Sequence, residues 1–123
     1  RHSVYYDYGA SIRIDYLQQN GITPEYLREN NLGPIIFREE CLFKREIKPT
    51  DKVTIDLELI RSSRNSARWS IRHHIFKNGD TLSALLTVDG AWIDTVKRKL
   101  TIPPPAASES FQQMPRGEGF EWG

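Results

Sequence analysis

At 123 residues the chain is the size of one domain with one core, which leaves no room for a second catalytic unit. Seventeen Lys and Arg against sixteen Asp and Glu give a formal net charge of +1, so neither nucleic acid nor an anionic membrane is the expected partner. The single cysteine, Cys41, cannot close an intramolecular disulfide, and no apolar run reaches the ~20 residues of a membrane helix, so a reducing, cytoplasmic setting is expected.

The chain opens at Arg1 without Met or a signal-like stretch and reads as a fragment of a longer frame. From Tyr5 the spacing of Tyr5, Tyr8, Ile12 and Tyr16 is helical, with Ser3 as a cap and Gly21 as the end. Gly9, inside that helix, costs roughly 1 kcal/mol relative to Ala, which implies something packed close to its backbone, such as a sheet. Thr23-Pro24 starts a short second helix to about Asn30. In PIIFREECLFKREI the odd positions Ile35, Phe37, Cys41, Phe43 and Ile47 are apolar and Arg38, Glu40, Lys44 and Glu46 alternate with them, which predicts a strand with one buried face. VTIDLELI is a second alternating strand, SSRNS a polar hairpin loop, and ARWSIRHHIF the third strand. Asn78-Gly79-Asp80 predicts a hairpin into TLSALLTVDGAWIDTVKRKLTI, whose Asp89-Gly90 predicts a bulge or bend. PPPAAS ends the sheet, and the tail reads as a short helix and an irregular extension.

One helix followed by four antiparallel strands, with a further strand expected before the helix, resembles the hot-dog fold, an α+β architecture in which an antiparallel sheet wraps one long central helix. RHSVYYDYGASIRIDYLQQNGI is similar to the helix of the 4-hydroxybenzoyl-CoA thioesterase-like group, and LGPIIFREECLFKREIKPTDKVTIDLELI to that group's next unit, an R-x-E-x-x-F strand, a turn ending in Asp and a V-x-V-x strand. The resemblance covers residues 1–104, with 105–123 left as a C-terminal tail. It implies hydrolysis of an acyl-CoA thioester at the interface of a homodimer, or a tetramer built from such dimers, without metal or cofactor. In this group the thioester carbonyl lies at the helix N-terminus, where His2 and Tyr5 match the motif, and an Asp in a D-x-x-G-H stretch, which this chain lacks, completes the site.

The residues themselves add candidates and duller alternatives. His2 near a terminus is otherwise a solvated histidine, and Tyr5 a half-buried core residue. Glu39 falls on the apolar face of its strand, where an unpaired carboxylate is costly and shifts toward its neutral form, as a general base does; pairing with Arg13 or Arg45 is the alternative. Glu40, on the face of Arg38, reads as an ion-pair member. Arg61, Ser63 and Arg64 lie in the densest cluster of Arg and hydroxyl groups and suit the phosphates of CoA, although a basic hairpin can serve solubility alone. His73 shares a face with Trp69, Ile71 and Ile75 and reads as a satisfied core histidine; His74 points the other way, so the pair chelates no metal. A non-catalytic acyl-CoA-binding domain and a hot-dog hydratase or dehydratase are the alternatives to the thioesterase.

Overall fold

The computed structural model describes residues 3–123 and leaves His2 outside them. Helix α1 (Ser3–Gln19) ends as its Gly predicts: Gly21 takes φ 82°, and the Gly21 and Ile22 amides bond back to the Gln18 and Leu17 carbonyls at 3.1 and 2.8 Å. Helix α2 (Pro24–Glu29) is capped by the Thr23 hydroxyl, which accepts from the Tyr26 amide at 3.2 Å.

The strands are β1 (Leu32–Phe43), β2 (Val53–Ile55), β3 (Glu58–Ser62), β4 (Arg68–Lys77), β5 (Thr81–Asp94), β6 (Lys99–Leu100) and β7 (Arg116–Trp122), with α3 (Pro105–Gln112) before the last. They form one sheet in the order β1-β5-β4-β3-β7, in which β2 pairs with β4 and β6 with β5. The architecture is α+β. Two expectations are corrected. VTIDLELI is two short strands, because Asp56 turns its carboxylate back onto the His74 amide. The irregular extension of the tail is strand β7, parallel to β3, so the sheet is not wholly antiparallel.

Helix α1 packs on one face of the sheet. Its buried stripe runs through Tyr5, Gly9 and Arg13, four residues apart, on to Leu17. A Cβ on Gly9 would lie 2.4 Å from Leu86 Cδ2 and 3.2 Å from His73 Cδ2, so the missing side chain is what lets the helix settle onto β4 and β5. Two core clusters result, one around Trp69, Trp92 and Phe111 and a smaller one around Tyr5, Ile75 and Ala84. Helix α3 closes the first, and its Gln112 and Ser108 side chains bond the buried Ser66 hydroxyl of the β3–β4 loop at 2.6 and 3.1 Å.

The bulge expected at Asp89-Gly90 is corrected: β5 runs through that pair in regular register with β4, and the extra residue lies opposite it on β1. Ile36 pairs with Gly90 and Arg38 with Asp89, leaving Phe37 as the extra residue. One inserted residue reverses the alternation, so the expected single buried face is wrong below residue 38. Glu39 and Cys41 face α1, but Ile36 and Pro34 take that side further down, while Phe37 turns to the opposite face beneath Arg68. Gly90 is required here, since a Cβ would come within 2.4 Å of both the Ile35 carbonyl and the Trp69 ring.

Candidate active site

Between α1 and the sheet runs a chain of polar groups set in apolar surroundings. The His73 ring, fully buried, has Nδ1 2.9 Å from the Asp56 carbonyl and Nε2 2.8 Å from Arg13 Nη1. A carbonyl only accepts, so Nδ1 carries the proton and Nε2 accepts from the guanidinium. His73 is therefore neutral and satisfied, as its place on the apolar face predicts. Burial pushes its pKa down to about 4; the Asp56 carbonyl works against that and the Arg13 charge adds to it. Arg13 itself, its side chain only 11% exposed, is held below the usual guanidinium range by burial, against which Glu39 acts, its Oε2 lying 3.7 Å from Nη2.

Glu39 thus has beside it the Arg13 partner that its duller reading names. Glu40 pairs with Arg38 at 3.0 Å, and Arg38 reaches Asp89 at 3.9 Å. Tyr5 is buried against Ile75 and Ala84, with the Phe43 ring edge-on at 5.0 Å. Sequence reasoning named Arg13 only as a partner for Glu39 and missed its bond to His73, as well as Asp56. The available signal was a charged residue four positions after Gly9 on the packed face of the helix.

Hollows lined by described residues adjoin these elements. At the start of α1, Val4, Tyr5 and Tyr8 face Lys48, Asp51 and Val53 across a cleft of about 270 Å³. Between the later turns of α1 and β1 lies an apolar cavity of about 200 Å³, reached by Arg13. On the opposite face of the sheet, Phe37, Arg61, Arg68, Ser70 and Asp89 line a groove of about 340 Å³. None of these hollows is lined by both Tyr5 and Glu39.

The Arg and Ser cluster is divided. Arg61 joins Arg68 in the outer groove, whereas the Arg64 guanidinium sits 4.7 Å over the Trp122 ring of β7. Ser63 closes its own hairpin, accepting from the Arg68 amide at 3.0 Å. Elsewhere on the outer face, Asp56, Glu58 and His74 bring possible metal-ligand atoms within 4.8 Å of one another. Those atoms are engaged already: His74 Nδ1 lies 2.8 Å from Asp56 Oδ2, and Glu58 accepts from Arg72 Nε at 2.7 Å.

Fold and sequence now converge on one class. Residues 1–111 match the thioesterase-like superfamily, and the chain belongs to it. Among solved structures it resembles a gentisyl-coenzyme A thioesterase at 19% identity and TM-score 0.76, over 92% of this chain and 86% of that one. It also resembles a 1,4-dihydroxy-2-naphthoyl-CoA thioesterase from Synechocystis, with 10% identity, TM-score 0.79 and coverage of 92% and 82%. A Staphylococcus aureus protein in complex with CoA is similar at 14% identity and TM-score 0.85, over 95% of this chain and 75% of that one. A search of curated proteins finds no match. Among the described residues no helix is long and apolar enough to cross a membrane.

Proposed function

We propose that the protein hydrolyses an acyl-CoA thioester to the free acid and CoA, with α1 as the central helix of a hot-dog fold and the site at a homodimer interface. The observation that carries this reading is the superfamily match over residues 1–111. The neighbours named for CoA, gentisyl-CoA and dihydroxynaphthoyl-CoA support a CoA thioester as the substrate class. The thioester carbonyl lies at the first turn of α1, near His2 and Tyr5, because the amides of a helix start are already oriented toward the oxygen that gains charge. Water attacks the carbonyl carbon directly, or a carboxylate attacks it first and water then hydrolyses the resulting anhydride and restores the carboxylate; in either route the C–S bond breaks and the thiolate of CoA leaves, taking up a proton that the water gives up. Arg61, with Arg68 beside it, is the better candidate for the CoA phosphates than Arg64, whose guanidinium stacks on Trp122. Ser63 contributes by holding the hairpin that carries Arg61.

The test follows thiol release from a panel of acyl-CoAs. His2→Ala keeps the amide and is expected to leave kcat within about tenfold, whereas His2→Pro removes the N–H and is expected to cost on the order of a hundredfold or more. Equal, mild effects in a folded protein would exclude the helix N-terminus as the oxyanion site. A second reading, an acyl-CoA-binding domain without catalysis, is favoured by the pairing of Glu39 with Arg13. Binding of CoA thioesters with no thiol release would establish it.

A further inference from the structure

Apart from Trp122, the large apolar side chains that stay exposed among the described residues gather in two places. Ile14, Ile36, Phe37, Leu42 and Phe43 lie on or beside the edge strand β1, and Val96, Leu100 and Ile102 lie on or beside the hairpin that leads from β5 into β6. Val96 is 71% exposed, Leu100 43% and Ile102 65%. Between the first two stand Lys97, Arg98 and Lys99, all exposed, and no carboxylate among the described residues forms an ion pair with them. The acid of this stretch, Asp94, is committed to the turn. Its Oδ1 accepts from the Val96 and Lys97 amides at 2.9 Å each, and Arg98, at φ 57°, donates its amide to the Asp94 carbonyl at 2.7 Å. The loop is thereby held in one shape with its cations and apolar groups on the outside.

We propose that the β5–β6 hairpin docks the protein on a membrane surface that contains anionic lipid, with Val96, Leu100 and Ile102 entering the apolar edge of the headgroup layer and Lys97, Arg98 and Lys99 meeting lipid phosphates. The inference goes beyond the thioesterase reading and does not depend on it. A total charge of +1 gives the chain as a whole no attraction to such a surface, but residues 94–102 carry three cations against one anion. The mixture of groups selects the partner. A stable protein interface buries about 800 Å² on each side and needs a matched surface, which a hairpin of a few residues does not offer. A bilayer needs neither, because apolar side chains enter it singly while Lys and Arg keep their charged heads among the phosphates on long apolar stems. Two copies meeting through this patch would set like charges face to face, which disfavours self-association. Position fits as well. Tyr5 at the start of α1 packs against Ala84, and the hairpin leaves β5 at Asp94, about 33 Å along the strand at ~3.3 Å per residue. Docking there leaves the start of α1 free.

The experiment measures co-sedimentation of the protein with vesicles of phosphatidylcholine alone and of phosphatidylcholine mixed with phosphatidylglycerol in roughly equal amounts. The wild type is expected to partition onto the anionic vesicles at least about tenfold more strongly than onto the neutral ones, and to lose most of that preference at about 0.5 M salt. Lys97→Glu with Lys99→Glu is expected to abolish the preference. Val96→Ser with Ile102→Ser is expected to weaken partition onto both kinds of vesicle by roughly tenfold while keeping the preference for the anionic one. All four positions are exposed, so both double variants are expected to keep the wild-type melting temperature. Failure of the wild type to bind anionic vesicles would overturn the proposal, whether or not an acidic protein binds the same hairpin. Binding unchanged in both double variants would overturn it too, by placing the contact elsewhere. A shift in oligomeric state caused by Val96→Ser with Ile102→Ser, seen in light scattering, would assign the patch to contact between copies and overturn it. Release of thiol from a water-soluble acyl-CoA, measured without vesicles, is expected to be the same in all three proteins; its absence in all of them would remove the hydrolase reading and leave the docking surface standing.

Discussion

His73 sits where a titratable group has the least freedom, with one ring nitrogen on the Asp56 carbonyl and the other under the Arg13 guanidinium. Protonating Nε2 would place a second cation against Arg13 and remove the acceptor that Arg13 uses. The folded-state pKa of about 4 lies below the 6.5 of an unperturbed imidazole, so the unfolded chain takes up the proton first as the pH falls. The stability contributed by the neutral ring is therefore fully present above about pH 6.5 and is lost between that pH and about pH 4. The loss is on the order of 3 kcal/mol at 1.36 kcal/mol per pKa unit. Urea midpoints measured across this window are expected to fall steeply for the wild type and distinctly less for His73→Gln, which cannot titrate. Parallel pH profiles for the two proteins would place the acid sensitivity elsewhere.

At the scale of elements, β1 is the member whose surroundings are incomplete. It lies at the edge of the sheet, and Ile36, Phe37, Leu42 and Phe43 on it are between 41% and 52% exposed, with Ile14 of α1 at 54% nearby in the wall shared with Ile36. A long edge strand with this much apolar surface invites pairing with another strand. The dimer implied by the family resemblance, two sheets joined edge to edge, would satisfy it with the same surface on both copies. Leu42→Lys places a charge on that edge while leaving the protomer core untouched, since Leu42 is 48% exposed. Light scattering is expected to show a dimer for the wild type at micromolar concentration and a shift toward monomer for the variant. A monomeric wild type would leave β1 to some other partner.

For the whole molecule, the last twenty residues are structural. Phe111 of α3 lies 5.0 Å from the Trp69 ring and 5.4 Å from that of Trp92, and is 2% exposed. Strand β7 is fastened by its pairing with β3 and by Arg64 over Trp122 at 4.7 Å. Phe111→Ala is expected to cost about 3–5 kcal/mol in chemical denaturation, the usual range for an aromatic removed from a packed core. Arg64→Ala is expected to stay within about 1 kcal/mol, because it loses one exposed cation–π contact. A reversal of that order would mean that β7, and not the core beneath α3, holds the tail in place.

What the sequence determined by itself was local. The spacing of Tyr5 and Tyr16, the Gly21 stop, the Thr23-Pro24 start, the Asn78-Gly79 hairpin and the close approach at Gly9 follow from backbone preference and from the period of apolar residues, and each is legible within a few positions. The motif order likewise carried the superfamily and, with it, the class of chemistry. Tertiary structure decided the rest, because those properties depend on residues far apart in the chain. The bulge at Phe37 exists only in the register between β1 and β5, and one residue of slippage moved Phe37 off the face that alternation assigned to it. The parallel pairing of β7 with β3 brings residues 116–122 against a strand more than fifty positions earlier. Arg13, His73 and Asp56 come together from α1, β4 and the break between β2 and β3, and Arg64 and Arg61 part company because only one of them meets Trp122. Periodicity says which face a side chain is on, and only the packed chain says what faces it.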